Sequence, residues 1–115
     1  MGMKGLHWIG SSLKDLKDFP EDVRDTFGYE LYQVQLGRMP ASAKALKGGQ
    51  LSGVYELRGD HKGDTYRTVY IAKLEDAVYV LHCFQKKSKS GIATTQKDID
   101  LLVKRLKWAK EDNER

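Results

Sequence analysis

The chain has little material for several common chemistries. One cysteine among 115 residues, Cys83, rules out an internal disulfide and suits a reducing, cytoplasmic setting. No run of about 18 apolar residues occurs, so no membrane span and no membrane partner are expected. There is no phosphate-binding P-loop and no dinucleotide-binding glycine fingerprint. His7, His61, His82 and Cys83 show neither CxxC nor HxxxH spacing, so no metal and no cofactor are expected. His82 and Cys83 are strand neighbours, so their side chains point to opposite faces and cannot form a nucleophilic pair. The start, MGMKGLHWIG, is too short and mixed for a signal peptide, and Leu6 stands where a myristoylation signal needs Ser or Thr.

What is present is ordinary in amount and uneven in placement. Hydrophobic residues make up 40% and charged residues 31%, which predicts one folded domain over residues 1–115. The net charge is +4. Between Lys86 and Lys110 eight Lys or Arg face only Asp98 and Asp100, so the basic bias belongs to the C-terminal third. That is either a solvated helix face or a surface for a polyanion.

Hydrophobic spacing divides the chain. Leu6–Ile9 reads as a strand ended by Gly10. Ser11 and Ser12 can cap a short helix carrying Leu13, Leu16 and Phe19. Pro20 opens a second helix with Val23, Phe27, Leu31 and Val34 on one stripe and Gly37 at its end. Residues 39–50, MPASAKALKGGQ, lack a period and read as a connecting loop. Three strands follow at Gly53–Arg58, Thr65–Lys73 and Ala77–Gln85, joined as an antiparallel meander. Thr94 or Thr95 caps a last helix whose apolar stripe includes Ile99, Leu102, Val103 and Leu106. The fold class is α+β in the order β-α-α-β-β-β-α: a small antiparallel-meander sheet packed by an N-terminal helical hairpin and a C-terminal helix.

Strand parity then gathers charges. If Arg58 pairs with Thr65, Glu56 faces Arg67. If Leu74 pairs with Ala77, Arg67 faces Phe84 and Val69 faces His82. Glu56, Arg58, Arg67, His82, Phe84 and Lys86 then share one face, which Val69, Ile71, Val78 and Val80 make apolar at its other end. His61, Lys62, Lys87 and Lys89 lie in loops at the cationic end. Guanidinium forks suit phosphate oxygens, and Phe84 and Tyr66 offer stacking faces for unpaired bases. The plain alternative is a Glu56–Arg67 cross-strand ion pair with the aromatics, including Tyr55, Tyr70 and Tyr79, in the core.

The segments GVYELRGDHKGDTYRTVYI and VYVLHCFQKKSKSGIATTQKDIDLLVKRL resemble the RelE/ParE toxin superfamily, nearest its HigB-like branch with phage-derived relatives. The match rests on an ELR strand, a Tyr-Arg pair opening the next strand, and a Phe-x-Lys-Lys segment before a final helix. It departs in having Gly91-Ile92-Ala93-Thr94 where relatives carry a Thr-Pro helix start. The resemblance implies a type II toxin, a ribosome-dependent mRNA endoribonuclease that needs no metal. Cleavage would proceed by 2′-hydroxyl attack on the adjacent phosphate. It implies catalytic roles for Arg58 and Arg67 on the scissile phosphate, with Lys86 on the flanking backbone. For the acid–base role, where the superfamily varies, the candidates are His82, then His61, then Tyr66, ordered by unperturbed pKa. RNA contacts would fall to Lys62, Tyr66, Phe84, Lys87 and Lys89. The implied partners are a small helix-turn-helix antitoxin, seated in an apolar groove between the first helices and the sheet, and the ribosome with its mRNA. A homodimer stays open. So does a non-enzymatic binding module on the same fold, directed at gyrase or left over from a phage.

Overall fold

Residues 77–83 contain no solvated alternate position, and such a strand can only sit in the middle of a sheet. In the computed structural model, which describes residues 2–74, 76–86 and 95–115, β5 (Ala77–Lys86) takes that place. The described strands β1 (Gly5–Trp8), β2 (Lys44–Ala45), β3 (Val54–His61), β4 (Asp64–Ile71) and β5 lie in the order β1-β5-β4-β3-β2. β3, β4 and β5 form the predicted antiparallel meander. β1 adds to β5 in parallel, so the whole sheet is mixed. The loop reading of residues 39–50 is corrected in part. A two-residue strand, β2 (Lys44–Ala45), pairs antiparallel with β3, and a 3₁₀ turn follows at Gly49–Leu51.

Parity separates two cores. On one face α1 (Ser12–Lys17) and α2 (Glu21–Gln35) set Leu16, Val23, Phe27 and Leu31 against Leu57, Tyr70, Val78 and Val80. Phe27 is fully enclosed, a burial that stabilises by roughly 2–3 kcal/mol. Gly59 permits this contact, because a Cβ there would lie 3.2 Å from the Phe27 ring. The α2 helix ends as expected of Gly37. That residue has φ +84°, its N–H donates to the Val34 carbonyl, and the Arg38 N–H reaches back to Gln33. These packed side chains fill the space where an apolar groove was expected. Exposed apolar side chains among the described residues include Tyr29 and Tyr32 on the outside of α2, with Leu36 and Met39 just beyond its end.

On the other face α3 (Gln96–Asn113) covers Val54, Val69, Ile71, Tyr79 and Leu81 with Leu102, Leu106 and Ala109. Thr95 is the cap: its side chain accepts from the Asp98 N–H at 3.2 Å, and Asp98 adds a favourable charge to the first turn.

Two register expectations change. The β3–β4 hairpin is tighter than a six-residue connector, with His61 opposite Asp64 and Arg58 opposite Arg67. Lys62 and Gly63 turn the chain with φ +50° and +87°, the paired positive φ of a type I′ turn. The error was two residues, so no side chain changed face. In β5 the pairs Arg67–Phe84 and Val69–His82 form as expected, but Tyr70 then pairs with Val80, leaving Leu81 as an extra residue. This bulge moves Val78 and Val80 to the α1–α2 face and puts Tyr79 and Leu81 under α3. The Leu81 carbonyl, displaced from the ladder, accepts from the buried Arg105 guanidinium at 2.9 Å.

Candidate functional site

Reading the register across the sheet on the α3 face gives three rows. The first runs Lys44–Glu56–Val69–His82, the second Arg58–Arg67–Phe84, and the third Asp60–Thr65–Lys86. Two arginines thus sit directly opposite each other, a pairing that like charges oppose unless anions intervene. The protein supplies two. Glu56 pairs with Arg67 in a mostly buried ion pair, and Asp60 lies 3.5 Å from the Arg58 guanidinium. Asp60 also accepts from the Thr65 hydroxyl.

Over these rows lies a cleft of about 400 Å³. Its floor is Glu56, Arg58 and Arg67, and Lys86 stands on the β5 side. The opposite wall is Ser42, Lys44 and Lys47, and apolar lining comes from Leu46, Leu51 and Ile99. Ser42 ties that wall in place by donating to Glu30 of α2 at 2.8 Å and accepting from the Arg58 N–H. Burial holds the Glu30 carboxyl above its ordinary value, with the Ser42 hydrogen bond acting against it. Partial burial, then the charge of Arg67, depresses Lys86; Glu56 opposes this and Arg58 adds to it. Among the described residues the second Glu56 oxygen and the Arg67 Nε are buried without a hydrogen-bond partner. Both are groups that a ligand with donors and acceptors would satisfy.

Of the residues singled out from sequence, Arg58, Arg67 and Lys86 meet at this cleft. Phe84 is next to Arg67 and stacks on His82, ring centroids 4.5 Å apart. His82 itself is buried under the start of α3, with Nε2 3.0 Å from Asp98, and does not line the cleft. Burial lowers its pKa, against the pull of Asp98. His61 and Tyr66 lie on the other face, His61 2.9 Å from Asp22 and Tyr66 packed on Phe19. Lys62 is exposed at the hairpin tip. Lys87 and Lys89 lie outside the described residues. Cys83 is buried against Thr68, and burial pushes its thiol up to about 12. Among the described residues no three His, Cys, Asp or Glu side chains gather as a metal site, and no helix is long and apolar enough to cross a membrane.

Lys44, Lys47 and Ser42 were missed, because residues 39–50 read as loop. No sequence signal marked them: the strand has two residues, both exposed, and Lys44-Ala45-Leu46-Lys47 shows no alternation.

The family described as Phage derived protein Gp49-like (DUF891) matches residues 14–107. A RelE toxin double mutant from E. coli, solved in the free state, superposes with a TM-score of 0.63 at 21% identity, over 90% of this chain and 98% of that one. The intact E. coli RelBE toxin–antitoxin complex matches with a TM-score of 0.55 at 20% identity, over 74% and 99%. RelBE2 from Mycobacterium tuberculosis gives 0.51 at 20%, over 76% and 97%. No curated protein matches the chain by sequence. At these identities the structural matches establish a RelE-like fold.

Proposed function

The chain belongs to the Gp49-like family of phage-derived proteins, and from that premise we propose that it is the toxin of a toxin–antitoxin pair, cleaving mRNA on the ribosome. The observation that carries this reading is the meeting of Arg58, Arg67 and Lys86 at one cleft in a RelE-like fold. A scissile phosphate placed there would take up the guanidinium forks of both arginines. Glu56, the one carboxylate of the described cleft lining, is the acceptor for the 2′-hydroxyl proton. As the 2′-oxygen bonds to phosphorus, the bond to the 5′-oxygen breaks and Lys86, its pKa already depressed, supplies that oxygen's proton. The products are a 2′,3′-cyclic phosphate and a 5′-hydroxyl. His82 contributes by fixing the Phe84 ring beside Arg67 rather than by touching the reacting atoms. An antitoxin would need a docking surface, and the outer face of α2 offers an apolar one at Tyr29 and Tyr32.

The test is induced expression with mRNA cleavage mapped by primer extension, with and without ribosomes. Growth arrest with ribosome-dependent cuts is expected, and Glu56→Gln should slow cleavage by about 100-fold or more. Arrest with intact mRNA and inhibited gyrase supercoiling would replace this reading with the gyrase-directed one.

A further inference from the structure

We propose that the cleft also seats one unstacked nucleobase of a single-stranded RNA, on Leu46, Leu51 and Ile99, next to the phosphate held by Arg58, Arg67 and Lys86. This rests on the RNase reading and extends it to how the substrate is gripped. Three observations lead to it. The cleft volume, about 400 Å³, exceeds what a phosphate group fills and falls within the range of small-ligand sites, roughly 300–1,000 Å³. Its lining is also divided in kind. Arg58, Arg67 and Lys86 make one part cationic, while Leu46, Leu51 and Ile99 are aliphatic and come from the segment after β2, the 3₁₀ turn and α3. Leu46 and Ile99 are only half-buried, so apolar surface faces the opening beside a concentration of positive charge. A ligand that complements both must join an anion to a flat or rounded apolar group within a few ångströms, and a nucleotide is such a ligand.

The chemistry of the lining also limits how the base is read. Among the described lining residues, Ser42 is the only neutral side chain able to hydrogen-bond. The subsite therefore holds a base by excluded water and contact, and the four bases should bind within a few-fold of one another. Lys44 and Lys47, exposed on the outer wall, are placed for the next phosphates of the strand.

Two probes separate the base from the phosphates: adenosine 3′,5′-bisphosphate and abasic ribose 3′,5′-bisphosphate. Titrations followed by methyl NMR should show the nucleotide binding about tenfold more tightly, with shifts at the Leu46 and Ile99 methyls. Leu46→Gln, and separately Ile99→Thr, should remove that advantage and leave ribose bisphosphate binding unchanged. Equal affinities for the two probes, both weakened in Arg58→Ala, would overturn the base subsite while the phosphate site stands. Binding of neither probe, or binding that neither Arg58→Ala nor Lys86→Gln weakens, would overturn the phosphate site as well.

Discussion

At the scale of the residue, the Glu56–Arg67 pair decides most. Both side chains are about nine-tenths buried, 9% and 11% exposed, so each charge relies on the other. Removing one partner leaves an uncompensated buried charge, which costs about 3 kcal/mol or more. Arg67→Ala should therefore lower stability by that order in urea denaturation, and adding Glu56→Gln should recover much of it. Cleavage should be lost in both variants. Recovery of stability without recovery of activity separates the catalytic role from the structural one. His82 offers a second measurement. Burial depresses its pKa, so the folded chain prefers neutral imidazole, whereas the unfolded chain titrates near 6.5. This contribution is complete above about pH 6.5 and is lost as pH falls below it, because the unfolded state takes up the proton first. Urea midpoints should drop between pH 7.5 and 5.5, and drop less in His82→Gln. Equal drops would show that other groups carry the acid sensitivity.

At the scale of the element, the cap of α3 links helix stability to the site. Thr95 accepts from the Asp98 N–H, and Asp98 holds His82 at 3.0 Å. Thr95→Ala should cost about 1 kcal/mol and shift the His82 imidazole resonances, which a purely local cap would leave in place. This is also the scale at which reading from sequence met its limits. The buried run of β5 and the stripes of α2 and α3 were legible, because apolar periodicity reports burial directly. The type I′ turn was not, since Lys62 rarely adopts positive φ and its His-Lys-Gly-Asp setting lacks the usual Asn-Gly or Asp-Gly signal. The grouping of Arg58 with Arg67 survived because the slip was even. The bulge at Leu81 was invisible for a different reason. It depends on the Arg105 guanidinium arriving from α3, a tertiary contact across 24 residues. β2 has only two residues, too short for any period to show, and with it went Lys44 and half of the cleft wall.

At the scale of the whole molecule, charge is sorted by face more than by position along the chain. The basic C-terminal third drew notice in the sequence, yet the cations that share a cleft come from β2 and the segment after it, β3, β4 and β5. α3 contributes apolar packing instead: Leu102, Leu106 and Ala109 point into the sheet, and Lys104 lies over its own Trp108. If affinity for RNA comes from the cleft, then Arg58, Arg67 and Lys86 should account for the salt dependence of binding, and the helix lysines should not. Each phosphate contact on a single strand contributes about −0.7 to the slope of log K against log salt. With those three cations sharing one phosphate, single-stranded RNA should bind with a slope near −0.7, steepening toward about −2 if Lys44 and Lys47 hold the next two phosphates. Lys86→Gln should make the slope shallower, whereas Lys104→Gln and Lys107→Gln should leave it unchanged. A slope that responds to the helix substitutions and not to Lys86 would move the RNA to the outer face of α3, and the cleft would then need another ligand.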